Sequence, residues 1–448
     1  MAGAGLASEC TVAAVFLTIL LLTGAPAWPG EPDRPVDELG EVDLSAGVSA
    51  YVAAAAGAHP ELRAAYDRWS ASTHRIARTR GLPNPTVSFG LFVKSVETRA
   101  GPQQARIGIQ QAFPWPTTLT AGADAAAAEA QAAQRQLEAT GLAITQRVVA
   151  AYWSLWAVRT TRYIHQKHLS VIDDLASTLR ARMVVGGATL ADLLQVDLSR
   201  ARLADAIAGM DEQEAAAAAA LRAAAGLPSD TVVPTTPDAA EATLPVEVLA
   251  DLIAGASMHP RISAVAAQAD AADARIRAAS AQRLPGAMLG VDWILTGPAA
   301  DPTMPDSGQD AVVVGVGVSV PLWQRRYGED IAAAEATASA LRADQQARAD
   351  QVAAAVAQAA AQVRDSARRI QIYGGTLLPQ SRAAYSSLLG GYTIGSASVA
   401  QVLLAQRDLL ELSAALEGAR ADHARAWADL DAAVGRPVAR RPATSEAP

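Results

Sequence analysis

Hydrophobic positions alternate with small or polar ones in four short stretches of the chain. From Thr86 to Lys94, Val87, Phe89, Leu91 and Val93 fall on one face and Ser88, Gly90 and Lys94 on the other, with Phe92 out of phase. From Ala105 to Gln111, Ile107 and Ile109 oppose Arg106, Gly108 and Gln110. Further on, Leu289, Val291, Trp293 and Leu295 oppose Gly290 and Asp292, and Val312, Val314, Val316, Val318 and Val320 oppose Gly315, Gly317 and Ser319. A period of two with one apolar and one small or polar face predicts half-exposed strands, placed at 86–94, 105–113, 287–296 and 311–320. The polar, turn-forming stretches Glu97 to Gln104 and Gly297 to Gln309 make each pair a hairpin.

After each pair the period changes. Between Thr117 and Val185 there is no proline, so the segment predicts one helix close to 100 Å long at about 1.5 Å per residue. Ile144, Ala151, Val158, Ile172 and Leu179 form one heptad row and Val148, Leu155, Leu169 and Ala176 a second. Arg162 and His165 interrupt the rows. Val356, Val363, Ile370 and Leu377 repeat at sevens in the second half. Such rows are coiled-coil seams, and their interruption predicts a change of packing partner.

The elements recur in order: a His-Pro helix start, two strands, a long Ala-rich helix, a Gly turn, a return helix and a Gly-x-Pro stop. The first copy (46–226) opens at His59-Pro60, has its tip near 186 and stops at Gly226-Leu227-Pro228. The second (246–434) opens at His259-Pro260, has its tip near 395 and stops at Gly435-Arg436-Pro437. A Pro-rich linker (227–245) joins them, and a tail (435–448) rich in Pro and Arg is expected to be disordered. The expected fold class is therefore a mixed α/β membrane protein, mostly long α-helical coiled-coil hairpins plus four β-strands per chain.

Membrane placement follows from strand length and flanks. Segments of this size fit tilted membrane strands, and Pro114-Trp115-Pro116 and Pro321-Leu322-Trp323 place Trp where membrane interfaces favour it. Four strands cannot close a membrane barrel, and open edges are not tolerated in lipid. Several chains must then share one barrel, eight strands for a dimer or twelve for a trimer. The competing reading is a soluble exported scaffold whose strands form a small sheet on the helices.

Composition sharpens this. Apolar residues make up 51% of the 448 but aromatics only 4%, and Ala, the commonest of the apolar set, suits close helix approach and has the highest helix propensity. The net charge of -8 argues against a nucleic-acid partner, which needs clustered basic residues. Cys10, the one cysteine, excludes disulfides and Cys-based metal sites. It precedes the apolar run Thr11 to Leu22 and so is badly placed for a lipid anchor. That run, followed by Ala25-Pro26-Ala27, reads as a signal peptide over 1–27, with an N-terminal extension at 28–45. No later apolar run reaches the length of a membrane helix.

Sharper chemistry is not indicated. His165 and His168 stand at i, i+3 but lack a carboxylate or Cys to complete a metal site, so a seam or solvated pair is the better reading. Gly315-Val316-Gly317-Val318-Ser319 lies inside an alternating strand and lacks the Lys of a phosphate loop. No Gly-x-Ser-x-Gly and no catalytic carboxylate pair occurs. Neither an enzyme nor a cofactor is expected.

Taken together, the two copies, the strand pairs ahead of long hairpins and the tip sequences resemble the TolC-like outer-membrane efflux channels along the mature chain. The tips read Gly186-Gly187-Ala188-Thr189-Leu190-Ala191-Asp192-Leu193-Leu194 and Gly391-Tyr392-Thr393-Ile394-Gly395-Ser396-Ala397-Ser398-Val399-Ala400-Gln401-Val402-Leu403. Val96-Glu97-Thr98-Arg99 through Phe113-Pro114-Trp115-Pro116 looks most like the heavy-metal exporter branch. The resemblance implies a homotrimer with a shared twelve-stranded barrel in outer-membrane lipid and a passive helical tunnel in the periplasm. It implies a periplasmic adaptor and an inner-membrane pump of the RND type as partners; the outer-membrane channel of a protein-secretion system is the alternative among such channels, and the cargo stays open between metal ion, drug and protein. It also implies a gate at the tips. Asp192 and Tyr392 match positions that can hydrogen-bond between neighbouring coils. Gln401 and Leu404 stand where the family can present acidic rings, and Ala397 where it can carry a basic lock. The turns themselves fall to Gly186, Gly187 and Gly395.

Overall fold

The computed structural model describes residues 43–301, 303 and 305–443; the predicted signal peptide and nearly all of the N-terminal extension lie outside them. The helices are α1 (Val48–Ala58), α2 (Pro60–Arg80), α3 (Pro116–Val184), α4 (Leu190–Ala225), α5 (Leu249–Gly255), α6 (Pro260–Ala281), α7 (Gln324–Ile372), α8 (Leu378–Thr393) and α9 (Val399–Val434). The strands are β1 (Thr86–Leu91), β2 (Glu97–Thr98), β3 (Gly101–Phe113), β4 (Thr243–Pro245), β5 (Gly286–Thr296), β6 (Ala311–Ser319) and β7 (Arg440–Pro442). Among the described residues no helix is long and apolar enough to cross a membrane. Two units divide the chain, one of residues 67–135 and 263–347, the other of 43–66, 136–262 and 348–443.

The first unit carries an antiparallel sheet of order β1-β3-β5-β6, with β2 paired to β3. The strands of the two copies meet at β3 and β5. Register explains what the alternation achieves. Val87 aligns with Ile109, Val291 and Val314, and Phe89 with Ile107, Trp293 and Val312. The apolar positions of all four strands thus share one face, and most of them are exposed. The other face is mostly small or polar, with Met288, Ile294 and Val313 among its residues. There Arg106 makes a two-pronged pair with Asp292, at 2.9 and 2.7 Å, and Asp292 lies opposite Gly108. A Cβ at Gly108 would stand 2.1 Å from an Asp292 carboxylate oxygen, so glycine makes room for the pair. Strands β1 and β6 are open edges.

The second unit is helical. One core gathers Tyr51, Val52, Leu62, Ile144, Val148, Tyr152, Leu155 and Leu221 from the first copy, with Val233 of the linker. Its counterpart gathers Leu252, Ile262, Val356, Val363, Trp427 and Leu430 from the second, with Val438 of the tail. The expected rows are seams: Ile144, Val148, Leu155, Ile172, Ala176 and Leu179 are all buried. Where Arg162 and His165 interrupt them, Arg159 and Arg162 pair with Glu214, and Arg162 also with Asp211. Beyond the interruption Ile172, Leu175 and Leu179 pack with Tyr392, Val399 and Val402 of the second copy, the change of partner that the broken rows predict.

The landmarks of the repeat meet in space. The His259 Nδ1 accepts from the Arg261 N–H (3.0 Å) and its Nε2–H donates to the Ala432 carbonyl (2.9 Å). A Cβ at Gly435, whose φ is +83°, would lie 3.1 Å from this imidazole. His59 repeats the arrangement, accepting from Glu61 N–H at 3.2 Å and packing on Gly226 (φ +67°). The His-Pro start and the Gly-x-Pro stop are two halves of one joint.

Two expectations are corrected. The tail is not disordered from 435: β7 pairs with β4, Leu244 opposite Arg441, and the Arg440 guanidinium lies 4.5 Å from the centroid of the Trp427 ring. This pairing also gives the end of the linker a fixed conformation. The second long helix runs on but does not keep one helical period. A π-helical turn at Tyr373–Leu377 separates α7 from α8 and takes Leu377 out of its expected seam. Pro379, which has no N–H to give the preceding turn, follows Gly374 and Gly375 there, a combination that favours such a break.

Candidate functional site

Both tips are built by the same two devices. At the first, the Gly187 N–H donates to Arg182 O (2.8 Å) and the Gly186 N–H to Met183 O (3.1 Å). At the second, the Ser396 N–H donates to Gly391 O (2.9 Å) and the Gly395 N–H to Tyr392 O (3.2 Å). These are Schellman ends, which need a left-handed residue. Gly186 (φ 75°) and Gly395 (φ 80°) supply it. Gly187 has no such φ, so of the expected pair only Gly186 is needed for its backbone.

Each return helix then starts with a capping box. The Thr189 Oγ1 accepts from the Asp192 N–H at 3.2 Å, while an Asp192 carboxylate oxygen accepts from the Thr189 N–H (3.0 Å) and hydroxyl (2.7 Å). Ser398 and Gln401 make the same ring, with Gln401 N–H to Ser398 Oγ at 3.3 Å and Ser398 N–H to Gln401 Oε1 at 2.9 Å. Asp192 and Gln401 are therefore structural equivalents, the one charged and the other neutral.

Tyr392 is buried among Leu179, Val399 and Val402, and its hydroxyl is enclosed without a hydrogen-bond partner among the described residues. Within the chain it is not bonded to Asp192. Leu404 and Gln401 are exposed, as are the apolar Val184, Val185, Leu190, Leu194 and Ile394 around the turns.

One residue that the sequence reading passes over joins the tips. The Arg182 guanidinium donates to the Tyr392 (3.1 Å) and Thr393 (2.9 Å) carbonyls and stands 4.7 Å from the Tyr392 ring centroid. Those carbonyls end α8, where a helix has unpaired acceptors and a negative dipole end. A cation from the first tip thus caps the helix of the second and covers its tyrosine.

Higher on the seam, the Gln406 amide donates to the His168 Nδ1 at 2.8 Å, and burial lowers the pKa of both His165 and His168. The pair belongs to the packed seam. Among the described residues no three His, Cys, Asp or Glu are grouped to hold a metal.

Comparison with known proteins extends this. The sequence profile of the family "Outer membrane efflux protein" matches residues 256–436, the second copy. The outer membrane efflux protein BepC of Brucella suis biovar 1 (strain 1330) is 26% identical over 295 residues, 65% of this chain and 63% of BepC; the match thus spans a little less than two thirds of that protein. The outer membrane protein VceC of Vibrio cholerae has the same fold, with a TM-score of 0.71 at 20% identity over 87% of this chain and 96% of VceC. CusC, whose structures bear on transmembrane channel formation, superposes with a TM-score of 0.73 at 16% identity over 92% of this chain and 99% of its own.

The profile over the second copy and the fold along most of the chain point the same way, to a likeness with outer-membrane efflux proteins. The resemblance to the TolC-like outer-membrane efflux channels thus holds, by profile in the second copy and by fold along most of the chain.

Proposed function

We propose that the chain is the passive outer-membrane exit duct of a tripartite efflux system. Three copies close a twelve-stranded barrel and continue as a helical tunnel in the periplasm. An inner-membrane pump of the RND type supplies the energy and a periplasmic adaptor joins pump to duct. The observation that carries this reading is the sheet: an apolar face in register across four strands, largely bare, bounded by two open edges. Lipid covers such a face, and only further strands satisfy such edges.

The tips form the gate in this reading. Arg182 holds the two tips of one chain together, and Asp192 and Tyr392 add hydrogen bonds between chains when Tyr392 turns its hydroxyl outward. The exposed Gln401 and Leu404 line the aperture without charge, so neither an acidic ring nor a basic lock at Ala397 shapes its selectivity.

The test is biochemical and electrical. Membrane fractionation is expected to give heat-modifiable trimers that need detergent, and the purified trimer is expected to form discrete channels in a planar bilayer. A detergent-free soluble monomer would overturn the proposal in favour of an exported scaffold.

A further inference from the structure

Between α2, α3 and α6, within the strand-bearing unit, lies a groove of about 360 Å3. Small residues such as Gly122 and Ala125 line it, and Arg75, Arg78 and Arg275 border it. One carboxylate, Glu129, shares the groove and is paired with Arg275. Arg75 and Arg78 are exposed, and no carboxylate partner is found for either among the described residues. Neither guanidinium bonds the terminal carbonyls of α2, so helix capping does not account for them. The groove is left with two unpaired positive charges above a floor with room for a compact group.

Its position along the chain narrows the ligand. Arg78 is in the last turn of α2, which leads into β1; Gly122 is near the start of α3, which follows β3; Arg275 is near the end of α6, which leads into β5. Each is within about 10 Å of its helix end, at about 1.5 Å per residue. The exposed Trp115, one residue before α3, stands where interfacial Trp is expected. A polar headgroup layer lies next to strands that cross a bilayer.

We propose that this groove binds the phosphate of an anionic phospholipid from the leaflet that faces the helices, with Arg75 and Arg78 as the phosphate ligands. Guanidinium forks match phosphate oxygens in pairs, whereas a zwitterionic headgroup would bring an ammonium toward the same cations. The proposal rests on the reading of the strands as membrane-spanning, and its test separates the two.

Short-chain phosphatidylglycerol and phosphatidylcholine are titrated calorimetrically into the detergent-solubilised full-length protein, with inorganic phosphate as a third ligand. The expected result is a preference for phosphatidylglycerol of roughly 30-fold, from about 1 kcal/mol for each of two arginines. Arg75→Gln with Arg78→Gln should remove the preference, and Arg75→Gln alone should weaken it, while the circular dichroism spectrum and trimer band stay unchanged. Equal affinity for the two lipids overturns the proposal, as does inorganic phosphate binding as tightly as phosphatidylglycerol. Dissociation of the double variant into monomers with unchanged lipid binding also overturns it, marking the groove as a contact between copies. A wild-type protein that is soluble and monomeric without detergent overturns the membrane reading instead.

Discussion

At His423 a single proton decides how well one core is held. The imidazole is buried; its Nε2 accepts from the Thr243 N–H (3.0 Å) and the Trp427 indole N–H (3.1 Å). The proton must therefore be on Nδ1, 2.9 Å from Ser366 Oγ. Burial, then the nearby Arg440 cation, push the pKa from 6.5 down to about 4. The unfolded chain binds this proton first as pH falls, so the contribution to stability is complete above pH 6.5 and is lost on the way down to about pH 4. The full effect is on the order of 3 kcal/mol. His423→Gln is expected to flatten the fall in thermal midpoint over that window, and identical slopes in wild type and variant would refute the assignment. Arg182 is the matching case at the tips. Replacing it with Ala removes two charge-assisted bonds, a loss on the order of 2 kcal/mol, and single-channel conductance of the trimer is expected to rise. An unchanged conductance would leave Arg182 as a packing residue. Tyr392→Phe provides the comparison: it should alter conductance only if the hydroxyl leaves its pocket to bond between copies. Neither His423 nor Arg182 is legible in the sequence, because Thr243 and Ser366, and Tyr392 and Thr393, lie far along the chain from them and an arginine in a long helix reads as solvated.

The elements show where sequence patterns carry physical content and where they do not. The strands are legible because alternation is local, and the registered apolar face follows once hairpins pair. The heptad rows are legible for the same reason, down to the break at Arg162 and His165. The π-helical turn was hidden because Val356 to Leu377 keeps a perfect spacing while Pro379, beyond it, disturbs the backbone. Strand β7 was hidden because a run of Pro and Arg has no period, and only the edge of β4 gives it a conformation. At the tips, the contrast of Asp192 with Gln401 suggests divergence for gating, yet both close a capping box. Asp192→Ala and Gln401→Ala should each cost about 1 kcal/mol, read as similar drops in thermal midpoint. If Asp192 also bonds between copies, its variant alone should change conductance as well; a change in neither property would remove both roles.

For the whole molecule the question is what covers the sheet. Its two faces differ by one residue of register, so neighbouring positions on a single strand test opposite environments. Val314 aligns with Val291 on the apolar face, while Val313 aligns with Asp292 on the face that holds the Arg106 pair. If lipid covers the first face and a water-filled lumen the second, Val314→Arg places a guanidinium in hydrocarbon, at about 2–4 kcal/mol near the bilayer midplane. A trimer incurs this three times, so the heat-modifiable band and the outer-membrane fraction should both be lost. Val313→Arg adds a charge beside Asp292 in water and should leave trimer and membrane fraction intact, with a change in ion selectivity as its trace. A soluble sheet packed on helices would reverse or erase this asymmetry, because neither face would meet lipid. Two arginines, one residue apart on β6, therefore decide whether the duplicated hairpins build a wall of a pore or the side of a scaffold.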